Sequence, residues 1–330
     1  MSARSSATAA LRDPDVSLVI PVFNEEAGLA ALFDRLYPVM DALGRPYEVT
    51  FVDDGSRDRS AALLRAQYQA RPEVTRVVLL RNNAGQHTAI LAGFEYAHGR
   101  YVITLDADLQ NPPEELPRLI AAMDAGHDFV GTIRRYRQDS LWRHWASLAM
   151  NNVRQRITSI RITDQGCMLR GYHQDIVRAV RHSQEAHIYI PALAYTYART
   201  PIELVVEHNE RFAGHSKYSL IKLIRLAFNL VTGYSVLPLQ LFSLAGMAIA
   251  TLSLLFVVYL GIRRLTIGPE AQGVFTLFAI AFFLIGIALF GIGLLGEYIG
   301  RIYEQVRGRP RFLVQAVLEP PAGESHGDAP

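Results

Sequence analysis

Residues 16–54 read VSLVIPVFNEEAGLAALFDRLYPVMDALGRPYEVTFVDD. The short apolar runs at the two ends of this stretch are typical of buried strands, and the segment between them has the apolar spacing of a helix. A strand, a helix and a second strand in this order predict a βαβ unit with parallel strands. The stretch therefore indicates an α/β domain.

The same alternation continues to about residue 131. Strands are predicted at residues 16–22, 47–52, 74–80, 101–105 and 128–131. Helices are predicted between them, at residues 25–43, 59–70, 85–97 and 114–125. The expected fold is a mostly parallel sheet covered by helices.

Polar residues follow four of the predicted strands at the point where each strand ends. They are Asn24-Glu25, Asp53-Asp54, Arg81-Asn82 and Asp106-Ala107-Asp108. Because ligands of open α/β sheets bind at the carboxyl ends of the strands, we expect these four loops to converge on one edge. The chain has no G-x-G-x-x-G after its first strand and no G-x-x-x-x-G-K-[ST], which argues against a dinucleotide fold and a P-loop.

Asp106 and Asp108 are candidate metal ligands. In an extended segment, residues two apart point to the same side. Two carboxylates there would make an oxygen site for Mg²⁺ or Mn²⁺ that keeps positions open for substrate phosphates. Gln110 could add an amide oxygen. The alternative is that both are solvated turn acids, but their place after a buried strand favours the metal.

Asp53 and Asp54 are candidate ligands for a nucleoside. Adjacent carboxylates at the end of a buried strand cost free energy unless a ligand uses them, and a base or ribose offers suitable N–H and O–H donors. The alternative is a plain turn with a helix cap, a role that we expect for Asp58.

The composition excludes several classes of protein. Half of the 330 residues are hydrophobic and 19% are charged, with a net charge of +2. This balance argues against a disordered chain or a nucleic-acid-binding tail, so no nucleic-acid partner is expected. The lone cysteine, Cys167, excludes a disulfide framework. Residues 1–15 lack the apolar stretch of a secretory signal, and we expect a disordered lead-in there.

Two long segments, residues 226–262 and 271–296, contain no charged side chain. Each is long enough to cross a bilayer as a helix. Residues 218–234 mix Lys222 and Arg225 with apolar residues and predict an amphipathic helix at the membrane surface. The alternative, two buried helices of a soluble core, is disfavoured by the length of the uncharged runs.

Basic residues near the predicted spans set their orientation. Seven of them lie outside the spans and only two, Arg263 and Arg264, lie in the connecting loop. Both termini are therefore expected on the cytoplasmic side. The expected organisation is a catalytic domain at 16–217, an interface helix at 218–234, spans at 235–262 and 272–298, and a cytoplasmic tail at 299–330.

A set of sequence strings along the chain resembles one known family. In order they are SLVIPVFNEE, FVDDGSRDRS, LLRNNAGQHTAILAGF, ITLDADLQNPPEELPRL, GTIRR, DQGCMLRGY, ERFAGHSKYS and GLLGEYIGRIYEQVRGRPRF. Together they are similar to family 2 glycosyltransferases with the GT-A fold, of the polyprenyl-phosphate type to which dolichol-phosphate mannose synthases also belong. The resemblance is strongest to bacterial enzymes that attach 4-deoxy-4-formamido-L-arabinose or glucose to undecaprenyl phosphate.

The resemblance implies a role for each residue that matches these strings. The implied nucleotide-sugar ligands are Pro21, Phe23, Glu25, Asp53, Asp54, Arg81, Asp106 and the backbone of Ala107. The implied metal ligands are Asp106, Asp108 and Gln110, for Mg²⁺ or Mn²⁺.

The implied groups at the acceptor phosphate are Arg134, Arg211, Ser216 and Lys217, with Arg135 as the alternative to Arg134. Arg211 and Lys217 could also form a basic loop attracted to anionic lipids. Asp164 resembles a residue assigned as a base in some relatives. Because a lipid phosphate is largely ionised at pH 7, a strong base is not needed, and Asp164 could instead position substrate.

The resemblance further implies the substrates and the location of the protein. The implied reaction is inverting transfer of a sugar from UDP-4-deoxy-4-formamido-L-arabinose to undecaprenyl phosphate, for lipid A or cell-envelope modification. UDP-glucose or GDP-mannose are alternative donors. The implied location is the bacterial inner membrane, as a multi-pass homo-oligomer such as a tetramer. An inactive membrane-anchored binding partner is the non-enzyme alternative, but Asp106 and Asp108 are both present.

Two smaller features complete the expectations. His87 could cap or pack its helix, or approach the donor. Residues 309–314, RPRFLV, predict a strand or arm of the tail that docks on the cytoplasmic domain or on a neighbouring subunit.

Overall fold

The computed structural model describes residues 14–134, 162–164, 166–183, 189–207, 237–267, 274–308 and 310–319. These residues fall into two compact units. The first contains the described residues up to 207 together with 310–319. The second contains the described residues between 237 and 308.

The described part of the first unit contains eight strands and six α-helices. The strands are β1 (Val16–Val22), β2 (Tyr47–Asp53), β3 (Thr75–Leu80), β4 (Tyr101–Thr104), β5 (Phe129–Arg134), β6 (Arg170–His173), β7 (Pro201–Val206) and β8 (Val314–Leu318). The helices are α1 (Leu29–Ala42), α2 (Ser60–Ala70), α3 (Gln86–Phe94), α4 (Leu116–Asp124), α5 (Gln174–His182) and α6 (Ile190–Tyr197).

The strands form one sheet in the order β7-β5-β6-β4-β1-β2-β3-β8. The pairs β4–β1, β1–β2, β2–β3 and β5–β7 are parallel, and the other three are antiparallel. The predicted α/β fold with a mostly parallel sheet is confirmed. Because β1 to β4 are parallel neighbours, the loops that follow them lie at the same edge, as the sequence predicted.

The core explains why these segments form strands and helices. Every residue of β2 is buried, and β1 is buried except for Pro21, which is half-buried. Strands covered on both faces read as nearly continuous apolar runs, as β1 does, whereas β2 also buries the polar residues Glu48, Thr50 and Asp53. Helix α1 packs Leu29, Leu32 and Leu36 against the sheet, at the three- and four-residue spacing of one helix face.

The first helix begins later than the sequence predicted, at Leu29 instead of residue 25. The reason is that the preceding backbone is hydrogen-bonded to the loop after β2. The amides of Asn24, Glu25 and Glu26 donate to the side chains of Ser56, Ser60 and Asp58, respectively. Asn24 also adopts a left-handed φ of 55°, which ends the strand and excludes a continuous helix.

Two other boundaries differ from the prediction and affect the site. Strand β5 extends to Arg134, which therefore lies at the end of a strand at the sheet edge. Helix α4 begins at Leu116 and is preceded by a 3₁₀ turn at Pro113–Glu115. The consecutive prolines at 112 and 113 explain this delay, since neither can donate a backbone hydrogen bond.

The tail docks on the first unit of the same chain, which was one of the two predicted alternatives. Strand β8 pairs antiparallel with β3 and completes that side of the sheet. The Tyr68 hydroxyl donates to the carbonyl oxygen of Glu319 at 2.8 Å, and Arg311 donates to the carbonyl oxygen of Ser183 at 2.6 Å. Arg76 pairs with the Glu319 carboxylate at 3.1 Å.

The second unit consists of two long helices in its described part, α7 (Leu237–Ile267) and α8 (Val274–Val306). They meet where the Phe242 ring lies 5.7 Å from the Phe290 ring, centroid to centroid. A Cβ on Gly291 would come within 2.3 Å of the Phe242 ring, so glycine allows this contact.

One stretch among the described residues, Ile280–Gly300 in α8, is long and apolar enough to cross a membrane, with a mean hydropathy of 2.2. A shorter apolar segment, Leu239–Ile249, lies in α7. Both predicted spans coincide with helices, while the predicted interface helix at 218–234 falls outside the described residues.

Candidate active site

The loops after β1 and β2 form one wall of the site. Besides the backbone bonds of residues 24–26, the Asn24 side chain accepts from the Arg57 amide at 2.8 Å, and Glu26 accepts from the Arg59 amide at 2.9 Å. The ring of Phe23 is 42% exposed at this edge, although it is apolar. Two loops from distant parts of the sequence are thereby held together, with an aromatic face open to a ligand.

Asp53 is the last residue of β2, and its side chain is buried. Its Oδ2 accepts from the Ser56 amide at 3.3 Å, while its Oδ1 is buried with no hydrogen-bond partner among the described residues. Burial raises the pKa of this carboxyl, against the opposing effect of the Ser56 hydrogen bond. Asp53 therefore presents an unsatisfied acceptor at the sheet edge.

Asp54 is also buried, but both of its oxygens are used within the protein. Oδ1 accepts from the Ala84 amide at 2.7 Å, and Oδ2 accepts from the Gly85 amide and the Asn83 side chain, both at 2.9 Å. Burial again raises the pKa of the carboxyl. The structure thus makes Asp54 the anchor of the loop that leads into α3, a role the sequence did not reveal.

Gly55 lets these two loops approach. Its φ is +69°, and a Cβ there would lie 2.8 Å from backbone atoms of Asn82 and Asn83. Any side chain at residue 55 would push the loop after β3 away. The sequence Asp53-Asp54-Gly55 is therefore explained by the lack of space at Gly55 as well as by the charges of the two aspartates.

Asp106 and Asp108 lie just beyond β4. Both are half-buried, whereas Leu105, Ala107 and Leu109 are buried. This alternation agrees with the prediction that the two carboxylates share a side. Leu109 adopts a left-handed φ of 60°, which is strained for a residue with a branched side chain and turns the loop at the sheet edge.

The two carboxylates are tied to their surroundings in different ways. Asp106 Oδ1 accepts from the Gln86 side chain, on the first turn of α3, at 2.6 Å. Asp108 Oδ1 accepts from the Gln110 amide at 3.2 Å. A Cβ on Gly28 would lie 3.8 Å from the carbonyl oxygen of Ala107, so the loop after β1 borders this one. The acidic loop is therefore bonded to the start of α3 and borders the segment after β1.

Arg134 and Asp164 form an ion pair at the end of β5. The guanidinium donates from Nε to Oδ2 at 2.7 Å and from Nη2 to Oδ1 at 2.9 Å. Oδ1 also accepts from the Gly166 amide at 3.1 Å. The sequence had placed these two residues in separate roles, as a phosphate ligand and a possible base. The geometry makes Asp164 the group that orients Arg134.

Arg170 was not among the predicted site residues, and for His87 the sequence left open whether it caps or packs its helix or approaches the donor. Arg170, the first residue of β6, is fully buried and has no carboxylate partner among the described residues. His87 lies on the first turn of α3 and packs edge-to-face on Tyr189, with ring centroids 5.0 Å apart. Burial, and then the charge of Arg170, lower the pKa of His87 to about 4.

Comparison with known proteins assigns the chain to a family. The family model of glycosyl transferase family 2 matches residues 17–181. The chain belongs to glycosyltransferase family 2. This confirms the resemblance seen in the sequence and, with the sheet described above, the GT-A-like α/β fold.

Curated relatives of this glycosyltransferase match nearly its whole length. The undecaprenyl-phosphate 4-deoxy-4-formamido-L-arabinose transferase of Edwardsiella ictaluri is 51% identical over 92% of this chain and 94% of its own. The transferase of the same name from Yersinia enterocolitica is 50% identical over 92% of this chain and 93% of its own.

A solved structure is also similar to this glycosyltransferase, at a more distant level. Glucosyl-3-phosphoglycerate synthase from Mycobacterium tuberculosis, in complex with Mg²⁺ and uridine diphosphate, is 17% identical to it. The match has a TM-score of 0.46 and covers 67% of this chain and 78% of that one.

The acidic loop of the glycosyltransferase offers oxygen atoms that fit a divalent cation. The protein would supply some of the ligands of this cation and the substrate would supply others. In the part of the chain that the structure describes, no three His, Cys, Asp or Glu side chains group into a metal site. Asp106 and Asp108 instead supply two carboxylates, and Gln110 can supply an amide oxygen. Mg²⁺ is commonly held by one or two carboxylates, with the remaining positions filled by phosphates and water.

Several predicted residues can be placed and others cannot. Pro21 lies in β1, and Arg81 follows β3 with its amide bonded to the Leu313 carbonyl oxygen at 2.9 Å. The residues outside the described part of the chain are Arg135, Arg211, Ser216 and Lys217. Their roles in the glycosyltransferase stay predictions.

Proposed function

We propose that this protein transfers 4-deoxy-4-formamido-L-arabinose from its UDP conjugate to undecaprenyl phosphate, at the cytoplasmic face of a bacterial inner membrane. The observation that carries the proposal is about 50% identity to transferases of that name over more than nine-tenths of both chains. A match of this extent includes the catalytic unit and the helices together, so the proposal concerns the whole reaction. The product would serve lipid A or cell-envelope modification.

The nucleoside would bind between the loops after β1, β2 and β3. Asp53 Oδ1 is a buried acceptor without a partner among the described residues, so it is complementary to an N–H group of a base or an O–H group of a ribose. Phe23 offers an exposed ring on which a base can stack, and Pro21, Glu25 and Arg81 border the same loops. Asp54 would act indirectly, because it holds the β3 loop in place.

The donor diphosphate would lie over the acidic loop. Asp106, Asp108 and Gln110 would hold Mg²⁺ or Mn²⁺, with the Ala107 backbone beside the phosphates. When bound, the cation supplies positive charge that stabilises the departing nucleotide diphosphate. Gln86 fixes Asp106 through its side-chain amide, so one metal ligand is oriented before any ligand arrives.

The acceptor phosphate would meet Arg134. The ion pair with Asp164 holds the guanidinium at the sheet edge, and a guanidinium group is well suited to bind a phosphate. Arg211, Ser216 and Lys217 would contribute further positive charge and a hydroxyl from the loop after β7. Because the lipid phosphate is already largely ionised, it can attack the anomeric carbon directly, with inversion, and Asp164 need not take a proton.

The helices would bring the lipid and the catalytic unit to the same surface. The Ile280–Gly300 stretch is almost entirely exposed in the described part of the chain, as expected for a lipid-facing span. With spans at 235–262 and 272–298 and both termini cytoplasmic, Lys217 would lie at the membrane surface next to an interface helix at 218–234. A homo-oligomer such as a tetramer would fit this arrangement.

The test is transfer by the purified full-length protein to undecaprenyl phosphate in mixed micelles containing Mg²⁺. UDP-4-deoxy-4-formamido-L-arabinose, UDP-glucose and GDP-mannose are offered separately, and lipid products are identified by mass. A product from the formamido donor alone supports the proposal. Transfer only from UDP-glucose or GDP-mannose would replace the donor, and no lipid product from any donor would overturn the function.

A further inference from the structure

Two buried nitrogen atoms close to the acidic loop have no hydrogen-bond partner among the described residues. They are Nη1 of Arg170 and Nδ1 of His87. Buried polar groups in folded proteins are satisfied in the great majority of cases, so these two nitrogens require a partner that the described residues do not supply, either a water molecule or a group of a ligand.

Arg170 is held rigidly and its charge is not neutralised by a carboxylate among the described residues. Nε donates to the Cys167 carbonyl oxygen at 2.8 Å and Nη2 donates to the Asp164 carbonyl oxygen at 2.7 Å. The nearby Asp164 carboxylate is bound by Arg134 instead. Nη1 is therefore a fixed cationic donor in a fully buried position, and such a donor strongly favours an acceptor oxygen.

His87 complements this donor. Its ring is fixed by the edge-to-face contact with Tyr189, and Nδ1 is buried. The low pKa of His87 means that the ring is neutral at pH 7. A neutral imidazole has one nitrogen that accepts a hydrogen bond, and in the tautomer with the proton on Nε2 that nitrogen is Nδ1. Nδ1 is thus suited to accept from an N–H group.

Both residues lie beside the place where the donor would bind. Arg170 pairs in the sheet with Thr104, two residues before Asp106. Gln86, the neighbour of His87, donates to Asp106. Tyr189 belongs to the segment before α6, and Asp164 and Cys167, whose carbonyls Arg170 binds, belong to the segment before β6. Arg170 and His87 thus lie on elements that also contact the proposed donor site.

We propose that Arg170 and His87 recognise the formamido group of the donor sugar: Arg170 Nη1 donates to its carbonyl oxygen, and His87 Nδ1 accepts from its N–H. This inference rests on the proposed function. A secondary amide presents an acceptor and a donor on adjacent atoms, which matches the pair of unsatisfied nitrogens. A 4-amino sugar would be protonated and repelled by the buried guanidinium, so the same pair excludes the unformylated donor.

The experiment compares two donors that differ only in the formyl group. UDP-4-deoxy-4-formamido-L-arabinose and UDP-4-amino-4-deoxy-L-arabinose are offered to the full-length protein and to His87→Phe, which keeps a ring against Tyr189 but has no nitrogen. Arg170→Met, which removes the charge, is the second variant. His182→Gln, on the exposed end of α5, is the matched control.

For His87→Phe we expect kcat/KM with the formamido donor to fall about 10- to 100-fold, because the amide N–H loses its acceptor. For Arg170→Met we expect a similar fall, together with a gain in relative use of the amino donor. Inhibition by UDP, which lacks the sugar, should stay within about 2-fold of the wild-type value in both variants. The control should behave as the wild type does.

Three results would overturn the inference. If kcat/KM falls equally for both donors, or if inhibition by UDP is lost, Arg170 and His87 have a structural role only. If His87→Phe keeps the wild-type preference for the formamido donor, His87 does not recognise the formamido group. This result holds even if Arg170→Met does not fold. A lowered Tm of Arg170→Met would reveal that failure. Absence of formamido transfer by the wild-type protein would instead refute the proposed function, so the two failures are distinguishable.

Discussion

Two pairs of aspartates follow the two strands that flank β1 in the sheet, and the two pairs differ in burial. Asp53 and Asp54, after β2, are buried and adjacent, so their side chains go to different partners. Asp106 and Asp108, after β4, are half-buried and separated by one residue, so they can share one ligand. The difference teaches that spacing and exposure, more than the number of carboxylates, decide whether an acidic string binds a cation or organises loops.

Among the substitutions that test this difference between the two pairs, Asp108→Asn is expected to have the largest effect, which is on turnover. The substitution keeps the shape of the side chain but removes a charge from the proposed cation site. Turnover at saturating Mg²⁺ should fall on the order of 100- to 1,000-fold. The measurement is lipid product formed per unit time across a Mg²⁺ titration. Asp175→Asn, on the exposed face of α5, is the control, and wild-type turnover by Asp108→Asn would refute the metal assignment.

Asp53→Asn should act on donor affinity. The substitution removes the charge and leaves only one acceptor oxygen, which cannot serve both the Ser56 amide and the nucleoside, so KM for the donor should rise roughly 10- to 100-fold, with a smaller change in kcat. Steady-state kinetics over a range of donor concentration would measure this split. If kcat falls while KM is unchanged, Asp53 does not bind the nucleoside.

Asp54→Asn should act mainly on stability. The carboxylate accepts from two backbone amides and one side chain, and an amide can replace only one of its two oxygens. We expect the free energy of unfolding of the first unit to fall by about 1–3 kcal/mol. Thermal unfolding of the purified protein would show a lowered Tm. A Tm equal to that of the wild type would mean that the β3 loop does not depend on this anchor.

The smallest expected effect is a pH dependence of the stability change in Asp53→Asn. Burial raises the folded-state pKa of Asp53 above its ordinary value of 3.8. The folded state then binds the proton more tightly than the unfolded state, so this group's contribution to stability is present below pH 3.8 and is lost as the pH rises through the folded pKa. Asp53→Asn should therefore be more stable than the wild type near pH 7.

The measurement for this effect is the difference in Tm between Asp53→Asn and the wild type at a series of pH values. The difference should be positive near neutrality and should shrink as the pH falls towards 3.8. A negative difference at pH 7 would mean that a folded-state contact of Asp53 outweighs the cost of burying its charge. For Asp54→Asn a negative difference is expected at pH 7, although burial raises the pKa of Asp54 as well, because the substitution also disrupts the three hydrogen bonds that the carboxylate accepts.

Much of the site could be read from local patterns because parallel strands bring their carboxyl ends together whatever the details of packing. The acids and polar residues that follow β1 to β4 were predicted to converge for that reason, and they do. The role of Asp54 could not be read, since its partners at 83–85 are about thirty residues away and only the approach of two loops at Gly55 creates the contact. Helix α1 begins later than predicted for a similar reason, because the backbone before it is hydrogen-bonded to the distant loop after β2.

The amino-acid sequence by itself determined the α/β class, the sheet edge that carries the site, the family and the two long apolar helices, because these depend on periodicity and composition along short stretches. Only the tertiary structure decided that Asp164 binds Arg134, that the tail strand adds to β3, and that Arg170 is buried with an unpaired nitrogen near His87. Those features depend on which distant segments pack together and on how far this packing desolvates each charged group.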